Sequence, residues 1–224
     1  MNAIRPAKKI IFGLIFATFC MAIVDGVWQL PYLEKSISKA ILFTVLPFCC
    51  VENKKTFFSK LLKFEKKGFF VGIFLGVLLG GFLFFGYLLL KNFLDFSNIV
   101  PSLERTLGVT KENFLFVSMY IAICNSFLEE FFFRGFGFLE LKRHTSVRCS
   151  ATLSALLFAL YHVAMIVGWV PFPLVCLAIF GLFCGGLIFN YLNYRYESLY
   201  PSWFVHLFCN VGINSVGLVL MTTT

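Results

Sequence analysis

The stretch NSFLEEFFFRGFGF, residues 125–138, sets two adjacent carboxylates and an arginine in an otherwise apolar run. Ionisable groups are costly at membrane depth, so each is a candidate for function. Helical spacing sorts them. Glu130 and Arg134 stand four residues apart, share a face and can pair. Glu129 lies about 100° round the helix, on the side of Asn125 and Phe133. That spacing leaves Glu129 without a partner, and an unpaired carboxylate at low dielectric suits a general base. An ion pair that fixes helix packing explains Glu130 and Arg134 equally well, but it leaves Glu129 unexplained.

Two later clusters add imidazoles. FALYH carries Phe158 and His162 on one helix face, and HLFCN carries His206 and Asn210 four residues apart. A lone histidine on an apolar helix is more often packed and hydrogen-bonded than catalytic. The His206/Asn210 pair alone reads equally as an interhelical clasp. Depth joins the three clusters. Counted from the inner helix ends at 1.5 Å per residue, Glu129 lies ~15 Å in, His162 ~20 Å and His206 ~10 Å, all within one slab. A carboxylate, two imidazoles and a carboxamide around a water-accessible cavity suit hydrolysis. Glu129 takes a proton from water and His162 helps to position it. His206 and Asn210 donate hydrogen bonds to the oxyanion formed as water attacks an amide carbonyl. Two histidines and a carboxylate also suit a metal, although H-E-x-x-H is absent and three helices would have to supply the ligands.

The elements that hold these groups are membrane helices. Of 224 residues, 59% are hydrophobic and 13% charged, the mean hydropathy is +0.87, and 31 are phenylalanine. Soluble domains carry nearer ~25% charge, so the chain reads as all-α: a polytopic transmembrane helix bundle. Seven segments approach the ~20 apolar residues that cross a bilayer: 10–30, 37–51, 68–90, 113–139, 149–168, 172–194 and 199–221. The second is short and contains Pro47, so a re-entrant segment is its alternative. Residues 1–24 resemble a signal peptide without a small-residue cleavage site, and are read as a retained first span. TFFSKLLKFEKK puts Phe57, Phe58, Leu61 and Leu62 at helical spacing among lysines, an eighth helix lying in the interface or else a solvated basic loop. The domains expected are 1–112, N-terminal spans with a basic loop, and 113–224, the core carrying the polar clusters, in one membrane unit.

The net charge of +8 is unevenly spread. Arg5, Lys8 and Lys9, then six lysines between Lys54 and Lys67, then Lys142, Arg143 and Arg148, then Arg195, mark alternate loops. This predicts a cytoplasmic N-terminus and an external C-terminus; a bacterial cell membrane is the location expected. The excess fits anionic lipid. No basic-aromatic motif points to nucleic acid, so the partners expected are the bilayer and a membrane protein or peptide substrate. Gly68, Gly72, Gly76 and Gly80 line one face of the third span, and Gly181 with Gly185 repeats the device in the sixth; close packing is expected at all six. The eight cysteines form no C-x-x-C pair and read as small apolar residues. Asp25 is read as a snorkelling or hydrogen-bonded surface residue.

EEFFFR, FALYH and HLFCN, in that order on separate spans, resemble the E-E-x-x-x-R, F-x-x-x-H and H-x-x-x-N motifs of the CAAX protease and bacteriocin-processing (CPBP, or Abi) family. The resemblance covers about 113–214. It implies an intramembrane glutamate-dependent endopeptidase with a catalytic base at Glu129, a water-positioning His162, an oxyanion site at His206 and Asn210, and Glu130 and Arg134 in support. It implies no cofactor, with zinc as the alternative. Two other classes compete with it. A membrane scaffold or immunity protein would use the same network for packing. A proton-coupled transporter would relay protons through Glu and His, although no inverted repeat is visible.

Overall fold

Long apolar runs in a bilayer must satisfy their backbone groups internally, and helices do so. A computed structural model describes residues 4–223, and nine helices with no strand make up the regular structure of the described residues. They are α1 (Ile4–Ile23), α2 (Tyr32–Cys50), α3 (Lys54–Leu61), α4 (Lys66–Leu90), α5 (Ile99–Leu107), α6 (Phe114–Arg143), α7 (Val147–Ile166), α8 (Phe172–Tyr196) and α9 (Tyr200–Thr223). Six of them are long and apolar enough to cross a membrane: α1 with its extension to Trp28, α4, α6, α7, α8 and α9.

The expected second span differs. It forms one unbroken helix, α2, that starts at Tyr32 and runs through Pro47, so no re-entrant break occurs. Its 19 residues cover ~28 Å. Glu34, Lys35 and Lys39 in its first turns keep it out of the apolar set. The chain turns back into it at Gln29, whose φ of 46° is left-handed. The basic loop does contain a helix: Asn53 caps α3 by accepting from the Thr56 N–H at 3.0 Å. Phe57 and Leu61 are buried, while Leu62 lies beyond the helix and is exposed. α5 was not anticipated. Its Val100 and Ser102 are buried, and Gly108 ends it at φ 63°, its N–H donating to Glu104 O and that of Val109 to Leu103 O.

The main core joins α1, α2, α3, α6 and α7 through Leu14, Met21, Phe43, Leu61, Phe132 and Tyr161. Phe43 stacks on Phe132 with ring centres 4.1 Å apart and meets Phe133 edge-on at 5.5 Å. The glycine ladder of α4 packs against α9. A Cβ on Gly72 would stand 2.6 Å from the Pro201 carbonyl oxygen, and one on Gly76 2.9 Å from that of Phe204. Gly80 and Gly212 meet in the same seam. Gly181 and Gly185 contradict the expectation of close packing: nothing lies within 4 Å of a Cβ built on either. Their neighbour Gly186, one residue round the helix, makes the approach instead, with Ala155 at 3.0 Å.

α6 departs most from regular geometry. Ile121–Asn125 and Glu130–Glu140 are π-helical. Such winding is rare and frequently marks functional sites. The last helix supports the first π turn. Asn214 Nδ2 donates to Ser118 O at 3.1 Å, Asn210 Nδ2 to Ile121 O at 3.3 Å and Trp203 Nε1 to Ile123 O at 3.2 Å. Side-chain donors from a neighbour thus add a second bond to carbonyls that already accept a backbone N–H in or beside the irregular turn.

Candidate active site

The second π segment winds from Glu130 through Arg134, and its wider turn still sets residues four apart on one side. Arg134 Nη1 lies 3.4 Å from Glu130 Oε1 and both side chains are fully buried. The guanidinium is sandwiched between the Phe158 ring, 3.9 Å away, and the Phe189 ring, 4.9 Å away. Faces of aromatic rings attract a cation where water is excluded.

Glu129 is not the free acid that spacing on one helix suggests. Its Oε1 accepts from Lys39 Nζ at 3.1 Å and from Asn125 Nδ2 at 2.9 Å. Lys39 also donates to Asn125 Oδ1 at 2.6 Å, which closes a three-membered ring of contacts. The partner comes from α2, 90 residues away in the chain, and no periodicity within α6 reports it. The other oxygen, Oε2, is buried and has no protein hydrogen bond.

Both imidazoles point at that oxygen. His162 Nε2 lies 3.8 Å from Glu129 Oε2 and His206 Nε2 lies 3.7 Å from it. At these separations neither makes a direct hydrogen bond. The opposite ring nitrogens are anchored. His162 Nδ1 donates to Phe158 O at 2.8 Å, and His206 Nδ1 meets Glu130 Oε1 at 3.0 Å. Because a carbonyl can only accept, the His162 proton sits on Nδ1 and its Nε2 lone pair faces Glu129. His206 bridges the two glutamates. Phe158 and Phe189 flank its ring at 5.6 Å each.

Asn210 lies elsewhere. One turn further along α9 than His206, it donates to Ile121 O and belongs to the support of the π turn. Asp25 is also not a surface residue. It is 6% exposed and pairs with Lys35 at 3.4 Å, in the π-helical turn Val24–Trp28 that follows α1. Three buried carboxylates, Asp25, Glu129 and Glu130, therefore face three buried cations, Lys35, Lys39 and Arg134. The group is neutral when the imidazoles are uncharged.

Sequence reasoning missed Lys39 and Tyr161. A signal existed for the first: Lys39 falls inside an expected span and stands four residues from Lys35. Tyr161 follows from no pattern beyond its place beside His162. It is fully buried, its ring lies 5.1 Å from Lys39 Nζ, and its hydroxyl faces Glu129 just short of a direct hydrogen bond.

A metal would draw on Glu129 Oε2, His162 Nε2 and His206 Nε2. The fit is poor. The ammonium of Lys39 already neutralises the carboxylate, which weakens the set as a cation site.

Residues 111–212, a little under half of the chain, match the family model described as type II CAAX prenyl endopeptidase Rce1-like. No curated protein and no solved structure matches the chain significantly. The matched segment spans α6 to most of α9 and contains Glu129, Glu130, Arg134, His162, His206 and Asn210. With six helices long and apolar enough to cross a bilayer, the chain is an integral, multi-pass membrane protein, and its segment 111–212 is similar to the Rce1-like CAAX prenyl endopeptidases.

Proposed function

We propose that the protein is an intramembrane endopeptidase that cuts a peptide bond of a membrane-associated or lipid-modified protein or peptide, using water activated by Glu129. One observation carries the reading: two imidazole Nε2 atoms converge on a buried carboxylate oxygen at 3.7 and 3.8 Å. These gaps are too long for direct bonds and suit one bridging water. Glu129 Oε2 accepts a proton as the water oxygen attacks the scissile carbonyl, and His162 Nε2 aligns the same water. His206, held on Glu130 through Nδ1, turns Nε2 toward the same water, and once the ring carries a second proton its Nε2–H is offered to the oxyanion. The C–N bond then breaks as Glu129 hands its proton to the leaving amine, leaving a carboxylic acid and a free amine. Arg134 balances Glu130, which in turn holds His206. Asn210 takes its part through the α6 backbone, and an oxyanion role for it requires release from Ile121 O.

The prenyl group follows from the family's description alone. The alternating basic loops support a cytoplasmic N-terminus, an external C-terminus and a site in the inner half of the bilayer. Peptidase assays in lipid nanodiscs test the reading, with a quenched fluorogenic peptide ending in a farnesylated CAAX tail and its unmodified counterpart. Wild-type protein is expected to cleave the lipidated peptide. Glu129→Gln, folded and monodisperse, is expected not to; full activity in that variant overturns the base assignment. EDTA is expected to leave the rate unchanged. Loss with EDTA and recovery with zinc overturns the metal-free mechanism.

A further inference from the structure

We propose that Lys39, outside the family-matched segment, is the positioning residue of the site: it clamps one oxygen of Glu129 as an anion and so leaves the other to work. The inference rests on the hydrolytic reading above, but its physical core does not need it. Lys39 Nζ reaches both Glu129 Oε1 and Asn125 Oδ1, and Asn125 Nδ2 closes the ring on the same carboxylate oxygen. Two donors on Oε1 fix the rotation of the carboxylate. That rotation directs Oε2, which has no protein partner, at His162 and His206. A general base whose working oxygen is oriented in advance loses no entropy to alignment during the reaction.

Charge makes the same case. The groups facing Glu129 are Lys39 from α2, Asn125, Glu130 and Arg134 from α6, Tyr161 and His162 from α7 and His206 from α9, with Asp25 and Lys35 paired alongside. Arg134 is committed to Glu130 and Lys35 to Asp25, so Lys39 is the cation that remains for Glu129. A buried carboxylate left without its cation binds a proton instead. A protonated Glu129 accepts nothing from water. The N-terminal helices thus complete the site rather than merely enclosing it.

Infrared spectra of the protein in nanodiscs test this without substrate. Lys39→Met is expected to gain one carboxylic-acid carbonyl band that Lys39→Met/Glu129→Gln lacks, and Lys39→Arg is expected to gain none. Where Lys39→Met does not accumulate as folded protein, Lys39→Gln takes its place. In turnover of the farnesylated peptide, kcat is expected to fall roughly 10²-fold in the neutral variant with KM little changed. Lys39→Arg recovers most of the loss. No new band, or a wild-type kcat, in the neutral variant overturns the proposal. Wild-type turnover in Glu129→Gln overturns the hydrolytic reading instead. Absence of cleavage by the wild type likewise counts against that reading, and the infrared arm still decides the role of Lys39.

Discussion

Two contacts between helices solve opposite problems. Along the seam of α4 and α9 the side chains are removed, and backbones meet at Gly72, Gly76 and Gly80. Where α2, α6, α7 and α9 meet, the side chains are large and charged. Arg134 and Glu130 are fully buried, and Glu129 nearly so, behind Phe133, Phe158 and Tyr161. Lipid supplies no hydrophobic drive between helices, so the seam is held by close van der Waals packing. The site is held by paired charges whose separation would strand ions in a poor solvent. The seam therefore tolerates no added volume, and the site tolerates no lost partner.

Four substitutions sharpen that contrast. The largest effect is expected from Glu129→Gln, nearly isosteric with the acid it replaces: turnover falls about 10²–10⁴-fold, the range for a lost general base, while the protein still elutes as a folded species. Rapid peptide cleavage by this variant would reduce the site to a packing device. Arg134→Met comes next. It strands Glu130 and loosens His206, so denaturation in mild detergent should show a loss of about 3–5 kcal/mol together with lost activity. Gly72→Val adds volume against the Pro201 backbone and should cost about 1–3 kcal/mol, with the rate per folded molecule unchanged. A rate change without a stability change there would show that the seam takes part in the chemistry. The smallest effect is expected from Gly181→Ala, which meets open space, with stability within about 0.5 kcal/mol of wild type.

The contrast also separates what could be read early from what could not. The α4 ladder was legible because four-residue spacing on one helix is a property of that helix. The same spacing at Gly181 and Gly185 was misleading, since it says which face is smooth and not whether a neighbour covers it. Glu130 with Arg134 was legible for the first reason, and the supposed isolation of Glu129 failed for the second. Asp25, expected at a surface, met Lys35 because the turn after α1 brings α2 back alongside it.

By itself the sequence determined that the chain is helical and membrane-embedded, which residues share a helix face, and that three motif-bearing spans place their polar groups at similar depth. These follow from short-range geometry, namely hydrogen bonds four residues apart and the thickness of hydrocarbon. Tertiary structure alone decided that Lys39 clamps Glu129, that His206 spans both glutamates, and that Asn210 serves the π turn of α6. Those contacts join residues 76 to 90 positions apart. They depend on how whole helices dock, and the period of a single helix does not encode what docks against it.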